Sequence, residues 1–173
     1  MAPLLIVFAG LPGSGKSTLA QEIARRQHAI WVRVDTAEAA MLRSGLVHSF
    51  ETGLAAYVVA QDLAAENLGL GWDVVIDAVN GVEEAREMWR SLARDQEATL
   101  FFVEVVCRDP AEHRRRVDSR EAPTPPMPVP TWEDVITREY RPWEEPLLSI
   151  DSTRPLQENV DRIVHHISSR TSS

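Results

Sequence analysis

Runs of apolar residues alternate with amphipathic stretches along most of the chain. The runs at 4–8, 30–34, 73–77, 99–106 and 147–150 are rich in Val, Ile, Leu and Phe, and each predicts a buried strand. Helices are predicted between them, at about 15–27, 36–43, 51–70, 82–97, 110–120 and 156–168. Because strands that alternate with helices form a parallel sheet covered on both faces, the pattern predicts a single α/β domain over 1–173.

Composition and charge narrow the classes of function. No apolar run approaches the roughly 20 residues that a membrane span needs. The formal net charge of −8 weighs against tight binding to long nucleic acids, although a short strand end in a basic pocket stays possible. Cys107 is the one cysteine, so no internal disulfide can form, and the histidines lack the spacing of zinc ligands. We expect a cytoplasmic monomer or homodimer without a membrane partner.

A glycine-rich segment, GLPGSGKST, separates the first predicted strand from the first helix. Gly10, Gly15, Lys16 and Ser17 satisfy the pattern G-x-x-x-x-G-K-[ST] in that setting. Glycines let backbone N–H groups approach phosphate oxygens at the positive end of a helix. Lys16 can reach the β and γ phosphates, and the Ser17 hydroxyl can bind Mg²⁺. We therefore predict nucleoside-triphosphate binding by Gly10, Leu11, Pro12, Gly13, Ser14, Gly15, Lys16, Ser17 and Thr18, with ATP and Mg²⁺ as cofactors.

Two aspartates close predicted strands and are expected to face the same crevice, since ligands bind at the carboxyl ends of parallel strands. Asp35 ends the second strand and can orient or deprotonate an acceptor hydroxyl. The alternative role of Asp35 is that of an N-cap. Asp77 ends the third strand and can hold Mg²⁺ or order the acceptor, or merely cap the strand. Asn80 is a weaker candidate for contact with the acceptor, and a plain turn residue is the alternative.

A helix rich in arginine and a proline-rich segment follow the fourth strand. Arg116 and Arg120 are four residues apart, which places them on one face of a helix, and guanidinium groups suit the charge on a phosphoryl group in transfer. The segment EAPTPPMPVP (121–130) predicts an exposed loop. We hypothesise a lid over about 108–143 that carries Arg116 and Arg120 to the reaction. A surface linker and a solvated helix are the alternatives.

The chain resembles the small P-loop kinases: polynucleotide 5′-kinase domains, adenylylsulfate kinase, gluconate kinase, chloramphenicol phosphotransferase and predicted kinases often labelled AAA-domain proteins. GLPGSGKST, the aspartate after strand two, VVIDAVN, the R-x-x-x-R pair and SID near the end carry the resemblance, which covers nearly the whole chain. It implies a three-layer P-loop NTPase fold with a five-stranded parallel sheet of order 2-3-1-4-5 and a lid. It also implies catalytic roles for Lys16, Asp35, Arg116 and Arg120, and a magnesium role for Ser17.

The resemblance also suggests where the base and the acceptor bind. Arg108 and Thr153 match positions where related kinases contact the adenosine. Polynucleotide kinases commonly carry an arginine three residues after the general base, whereas this chain has Glu38, and Arg43 is the nearest later arginine. Arg43 is therefore a weak candidate for contact with the acceptor, and a polynucleotide acceptor is disfavoured.

The leading hypothesis is an ATP- and Mg²⁺-dependent kinase that transfers the γ-phosphoryl group to a hydroxyl of a small molecule. One alternative keeps the reaction and makes a polynucleotide 5′-hydroxyl the acceptor. The other is an NTP-binding switch or ATPase that has no phosphoryl acceptor. The short chain and the predicted lid favour the kinase.

Overall fold

Five parallel strands form one sheet of order β2-β3-β1-β4-β5. They are β1 (Leu4–Ala9), β2 (Ile30–Arg33), β3 (Val74–Asp77), β4 (Thr99–Val106) and β5 (Leu148–Asp151). The computed structural model describes residues 2–120, 127–144 and 147–171. Within these ranges the strand order and the parallel pairing confirm the predicted fold class.

Helices cover both faces of the sheet and give it three layers. On one face, buried residues of α3 (Phe50–Gly69) and α4 (Glu83–Asp95) pack against the strands, with Trp89 fully buried. On the other face lie α1 (Lys16–Gln27) and α7 (Leu156–Thr171), which contribute Ile23 and Ile163. The remaining helices are α2 (Val34–Arg43), α5 (Pro110–Asp118) and α6 (Trp132–Thr137). Among the described residues, no helix combines the length and hydropathy needed to cross a bilayer.

Two element boundaries differ from the prediction in ways that move candidate residues. β2 ends at Arg33 and α2 begins at Val34, so Asp35 lies in the first turn of a helix. A carboxylate there interacts favourably with the helix dipole. α5 ends at Asp118, so the prediction that Arg116 and Arg120 share one helix face is wrong. The short helix α6 was not predicted. It begins with a reciprocal capping box between Thr131 and Asp134.

The turn after β3 is held by a buried asparagine. Asn80 has a φ of 50° and no exposed surface. Its Nδ2 donates to the Phe8 carbonyl oxygen at 2.8 Å, and its Oδ1 accepts from Trp89 Nε1 at 2.8 Å. Its backbone N–H donates to the Tyr57 hydroxyl at 3.2 Å. Because these partners belong to β1, α3 and α4, Asn80 ties three elements together beside the carboxyl end of the sheet.

A buried arginine holds the segment that follows α6. Arg86 on α4 is 1% exposed, and its guanidinium lies 3.7 Å from the centroid of the Trp143 ring. Most of the Arg86 N–H groups donate to backbone oxygens and not to a carboxylate. The acceptors are the carbonyl oxygens of Asn80, Gly81, Arg141 and Pro142. Arg86 therefore fixes the chain around 141–143 against the start of α4.

We predict that Asn80→Ala lowers the free energy of unfolding by about 2–4 kcal/mol, because the Trp89 indole N–H and the Phe8 carbonyl lose their buried partner. Asn67→Ala is the matched control, since the Asn67 amide bonds only within α3, to the Leu63 carbonyl at 2.7 Å. The control is expected within about 1 kcal/mol of the parent. Urea denaturation followed by circular dichroism measures both. Equal losses for the two variants would contradict the scaffold role of Asn80.

Candidate active site

The loop between β1 and α1 depends on glycine where it passes β4. Gly10 has a φ of 149°, and a Cβ there would lie 2.4 Å from the Val105 carbonyl oxygen and 2.7 Å from Ser14 Oγ. Its backbone N–H donates to the Val79 carbonyl at 3.1 Å. Gly15 forms the N-cap of α1 with a φ of 93°. The loop therefore lies against β4 and the β3–α4 connection in a conformation that other residues cannot adopt without strain.

Lys16 is buried at the first position of α1, with 6% of its surface exposed. Burial lowers the pKa of its ammonium group below the usual value, while the charges of Asp77 and Asp35 raise it. The positive charges of Arg120 and Arg33 lower the pKa of Lys16, as burial does. The ammonium therefore lies among two carboxylates and two guanidinium groups, and burial is the largest influence on its pKa.

Arg33 joins the two predicted aspartates. Its Nη2 lies 3.4 Å from Asp35 Oδ2, and its Nε lies 3.5 Å from Asp77 Oδ2. Asp77 is almost fully buried at the end of β3, whereas the Asp35 side chain keeps 31% of its surface exposed. The structure thus brings Asp35, Asp77 and Lys16 to one edge of the sheet, as the sequence predicted. Arg33 was missed, although a charge inside the apolar run IWVRV was a usable signal.

The oxygen ligands near the loop fit a magnesium ion that is held partly by nucleotide. Asp77 Oδ2 is buried and has no hydrogen-bond partner, and Ser17 is the second residue of α1. Within the described parts of the chain, no group of three or more His, Cys, Asp or Glu could hold a metal ion alone. Mg²⁺ commonly takes one or two protein oxygens and completes its shell with phosphate and water. The metal roles of Ser17 and Asp77 stay predictions.

Two neighbouring cavities open around these groups. The front cavity, of about 370 Å³, is lined by Gly13, Gly15, Lys16, Ser17, Thr18, Gln21, Trp31, Arg33 and Arg120. The central cavity, of about 520 Å³, also includes Lys16 and Arg120 in its lining and adds Asp35, Glu38 and His48. Arg120 Nη2 lies 4.0 Å from Asp35 Oδ2. The same cavity is therefore lined by Asp35, Lys16 and Arg120, the last of which belongs to the predicted lid.

Helix α5 contacts the glycine loop through His113 and Val117 as well as through Arg116, whose Nη1 lies near Gly15. His113 Nε2 lies 2.8 Å from the Pro12 carbonyl oxygen, and the His113 ring packs edge-on against Trp132 of α6. A Cβ on Gly13 would lie 2.7 Å from a Val117 methyl group. His113, for which the sequence predicted no role in the site, therefore lies at the junction of the loop, α5 and α6.

The two lid arginines have different surroundings. Arg116 donates to Ser152 Oγ at 2.8 Å and to the Ser152 carbonyl at 3.2 Å, and its Nε donates to Glu112 at 2.7 Å. The two bonds to Ser152 anchor α5 to the loop after β5, and the bond to Glu112 lies within α5. Arg120 lies two residues beyond the end of α5 and lines both cavities. The catalytic role stays a prediction for both, and the geometry favours Arg120. Most of the proline-rich segment, 121–126, lies outside the described residues.

Arg108 and Thr153 lie near each other, as their predicted adenosine contacts require. The backbone N–H of Arg108 donates to Asp151 Oδ1 at 3.4 Å. The same oxygen accepts from the backbone N–H and the hydroxyl of Thr153, at 3.0 and 2.9 Å. Both residues are exposed at the carboxyl ends of β4 and β5. Their role in holding adenosine stays a prediction.

The weaker acceptor candidates fare differently. The contact of Asn80 with the acceptor stays a prediction that the structure does not favour, because the side chain has no exposed surface and bonds to Phe8 and Trp89. Arg43 is the exposed last residue of α2, two turns beyond Asp35, and its role stays a prediction. Glu38 is more informative. It is buried, lies 2.9 Å from His48 Nδ1 and lines the central cavity.

Residues 5–138 match the protein family described as AAA domain. The chain belongs to this AAA-domain family. Its fold is that of the P-loop kinases, as three solved structures show. A protein of Chloroflexus aurantiacus J-10-fl aligns with a TM-score of 0.75 and 23% identity over 97% of each chain. The APS kinase CysC of Mycobacterium tuberculosis, in complex with AMPPNP and APS, aligns with a TM-score of 0.75 and 20% identity over 96% of this chain and 98% of that one.

A gluconokinase of Sinorhizobium meliloti 1021 aligns with a TM-score of 0.65 and 19% identity over 98% of each chain. At these identities the likeness shows the fold of this AAA-domain protein. It leaves the acceptor to be argued from the residues of this chain.

We predict that Gly10→Ala weakens binding of the magnesium complex of AMPPNP at least about tenfold, because the added methyl group displaces the loop from β4. Gly45→Ala is the matched control. Gly45 has a φ of 102°, but a Cβ there meets nothing within 4 Å, so that variant carries the backbone strain without the clash. Isothermal titration calorimetry measures both affinities. An equal loss of affinity in the two variants would show that backbone strain alone accounts for the effect. An unchanged affinity in Gly10→Ala would contradict the prediction.

Proposed function

We propose that this AAA-domain protein is an ATP- and Mg²⁺-dependent kinase that transfers the γ-phosphoryl group of ATP to a hydroxyl of a small molecule. One observation carries the proposal: Asp35 lines the central cavity together with Lys16 and Arg120. A carboxylate opposite a phosphate-binding lysine and an arginine suits the deprotonation of an acceptor hydroxyl beside the γ-phosphate. The same cavity continues past Asp35 and offers room for the acceptor.

The nucleotide would lie along the glycine loop. The loop and Lys16 would hold the triphosphate, and Ser17 and Asp77 would hold the metal. Mg²⁺, when bound, neutralises charge on the phosphate oxygens. Arg108 and Thr153 would contact the adenosine at the carboxyl ends of β4 and β5. The related fold of CysC, solved in complex with AMPPNP and APS, supports a nucleotide and a small molecule as ligands of this architecture.

The transfer step uses residues already adjacent to one another. A bond forms between the acceptor oxygen and the γ-phosphorus, while the bond from that phosphorus to the bridging oxygen of ADP breaks. The hydroxyl proton passes to the Asp35 carboxylate. Arg120, whose Nη2 is 4.0 Å from Asp35, stabilises charge on the γ-phosphoryl oxygens, and Arg33 orients both aspartates. Positioning and charge complementarity supply most of the rate enhancement in such reactions.

One labelling experiment distinguishes the proposed small-molecule kinase from a polynucleotide kinase and from an ATPase without an acceptor. Gamma-labelled ATP is incubated with the protein and either a mixed pool of small alcohols or an oligonucleotide with a free 5′-hydroxyl. Label in a small alcohol supports the proposal, and label in the oligonucleotide supports the polynucleotide kinase. Release of inorganic phosphate alone supports the ATPase. Glu38 lines the central cavity at the position where polynucleotide kinases commonly carry arginine, which disfavours an anionic strand.

We predict that Asp35→Asn lowers phosphoryl transfer by about 10²–10⁴-fold, because the amide cannot accept the hydroxyl proton. Binding of AMPPNP is expected to persist. Asp134→Asn is the control: Asp134 also lines the central cavity, but its carboxylate accepts hydrogen bonds from Thr131 at the start of α6. Initial rates of label transfer measure both variants. A parental rate for Asp35→Asn would rule out the assignment of the base.

We predict that Asp77→Asn raises the Mg²⁺ concentration required for half-maximal transfer by about 10–100-fold, as the loss of a group that orients a metal typically does. The readout is the initial rate against Mg²⁺ concentration at saturating ATP. Full removal of Mg²⁺ by EDTA is expected to abolish transfer in the parent. An unchanged Mg²⁺ requirement in a folded Asp77→Asn variant would instead assign Asp77 to the orientation of Arg33.

A further inference from the structure

A third cavity continues from the central cavity on the side away from the glycine loop. This apolar cavity has a volume of about 440 Å³ and shares Asp35, Glu38, His48, Val79 and Arg138 with the central cavity. Most of its wall comes from α3, from the start of α4 and from the residues after β3. A molecule whose hydroxyl lies at Asp35 would extend into this space. The chemistry of its wall therefore bears on what the acceptor is.

The wall is predominantly apolar. Its apolar residues are Val34, Phe50, Leu54, Tyr57, Ala78, Val79, Val82, Ala85 and Met88. Phe50 is 80% exposed and Leu54 is 47% exposed, so two large side chains face solvent at the entrance. Burial raises the pKa of Tyr57 to about 12, which keeps its phenol neutral. Apolar walls of this size with a few polar groups are typical of small-molecule sites, and an apolar acceptor body would cover the exposed side chains.

The charged groups on this wall are mainly carboxylates. Asp35, Glu38, Glu84 and Glu139 line the cavity, against the guanidinium of Arg138 and the imidazole of His48. Arg141 offsets part of this charge from outside the lining, 3.6 Å from Glu84 and 2.8 Å from Glu139. Arg33 and Arg120, at 3.4 and 4.0 Å from Asp35, line the front cavity and not the apolar cavity. Within the apolar cavity an anionic acceptor would meet Glu38 close to its reacting hydroxyl. Juxtaposed like charges cost binding free energy, so the wall discriminates against carboxylate, sulfate and phosphate groups.

Glu38 offers an acceptor of hydrogen bonds inside this cleft. It lies three residues after Asp35 on α2, so both carboxylates lie on one helical face. Its Oε1 is 2.9 Å from His48 Nδ1, which holds the carboxylate in place. A buried carboxylate at a binding site favours ligands that donate hydrogen bonds, such as a second hydroxyl or an ammonium group.

We propose that the phosphoryl acceptor is a neutral or cationic alcohol with an apolar body. The body lies between α3 and α4 against Leu54 and Met88. The reacting hydroxyl lies at Asp35, and a second hydroxyl or an ammonium group donates to Glu38. This inference rests on the proposed function, because the cavity is assigned to an acceptor only if the protein transfers phosphate. The bonds that form and break are those of the transfer step above, with the proton passing to Asp35.

Three probes that share one apolar body test the charge preference: phenylalaninol, 3-phenylpropane-1,2-diol and phenyllactate. Each is titrated by calorimetry into the full chain saturated with AMPPNP and Mg²⁺. The amino alcohol and the diol are expected to bind at least about tenfold more tightly than the carboxylate, because only the carboxylate places like charge beside Glu38. Equal or tighter binding of phenyllactate overturns the inference, and so does the absence of binding by all three at millimolar concentration.

Two variants test the place of binding. Leu54→Asp is expected to abolish binding of the amino alcohol and the diol while leaving AMPPNP binding intact. Leu63→Asp is the matched control, since Leu63 lies on the same helix with 45% exposure but outside the lining of the apolar cavity. Glu38→Gln is expected to reduce the preference for phenylalaninol over phenyllactate. Equal effects of Leu54→Asp and Leu63→Asp, or an unchanged preference in Glu38→Gln, would overturn the placement.

Replacing AMPPNP with gamma-labelled ATP separates this inference from the proposed function. If the preferred alcohols bind but neither they nor any alcohol of the mixed pool gains label, the kinase function fails and the preference of the cavity stands. If label instead goes to an anionic alcohol, the kinase function stands and the acceptor class is wrong.

Discussion

The burial of Lys16 beside Asp35 and Asp77 is the constraint on which the candidate site depends. An ammonium group withdrawn from water requires nearby negative charge, and these two aspartates raise the pKa that burial lowers. Arg33 and Arg120 belong to the same charge network. The network therefore combines three cations with two carboxylates before any nucleotide is bound. The excess positive charge suits a polyphosphate.

This arrangement follows from the order of the strands. β1 lies between β3 and β4, and β2 pairs with β3, so the residues after β1, β2 and β3 meet at one edge. That much could be predicted from the apolar runs and from the glycine pattern, because both are local signals. The start of α2 at Val34 and the end of α5 at Asp118 could not, because helix boundaries depend on caps and tertiary contacts. The separation of Arg116 from Arg120 follows from that one boundary.

The residues that sequence analysis missed are the ones whose roles come from distant partners. In EEAREMWR, Arg86 looks like part of a solvated helix face, yet it is buried under backbone oxygens from positions 141 and 142. The pairing of Glu38 with His48 joins α2 to the loop before α3, which no local pattern indicates. Thr131 and Asp134 have the spacing of the capping box that begins α6, but the prolines before them predict a loop.

The proposed nucleotide site and the proposed acceptor site are built from different parts of the chain. The glycine loop, Asp35 and Asp77 lie at strand ends or in the adjoining turn and are held by the packing of the sheet. α3 supplies part of the wall of the apolar cavity. It buries small residues, Ala56, Ala60 and Ala64, and leaves Leu54 at the cavity entrance. Because the buried core residues of α3 are Ala56, Ala60, Ala64 and Leu68, substitutions at the exposed Leu54 change the wall of the apolar cavity without opening the core. Under the proposed function, substitutions in this wall would therefore change acceptor preference while the glycine loop stays the same.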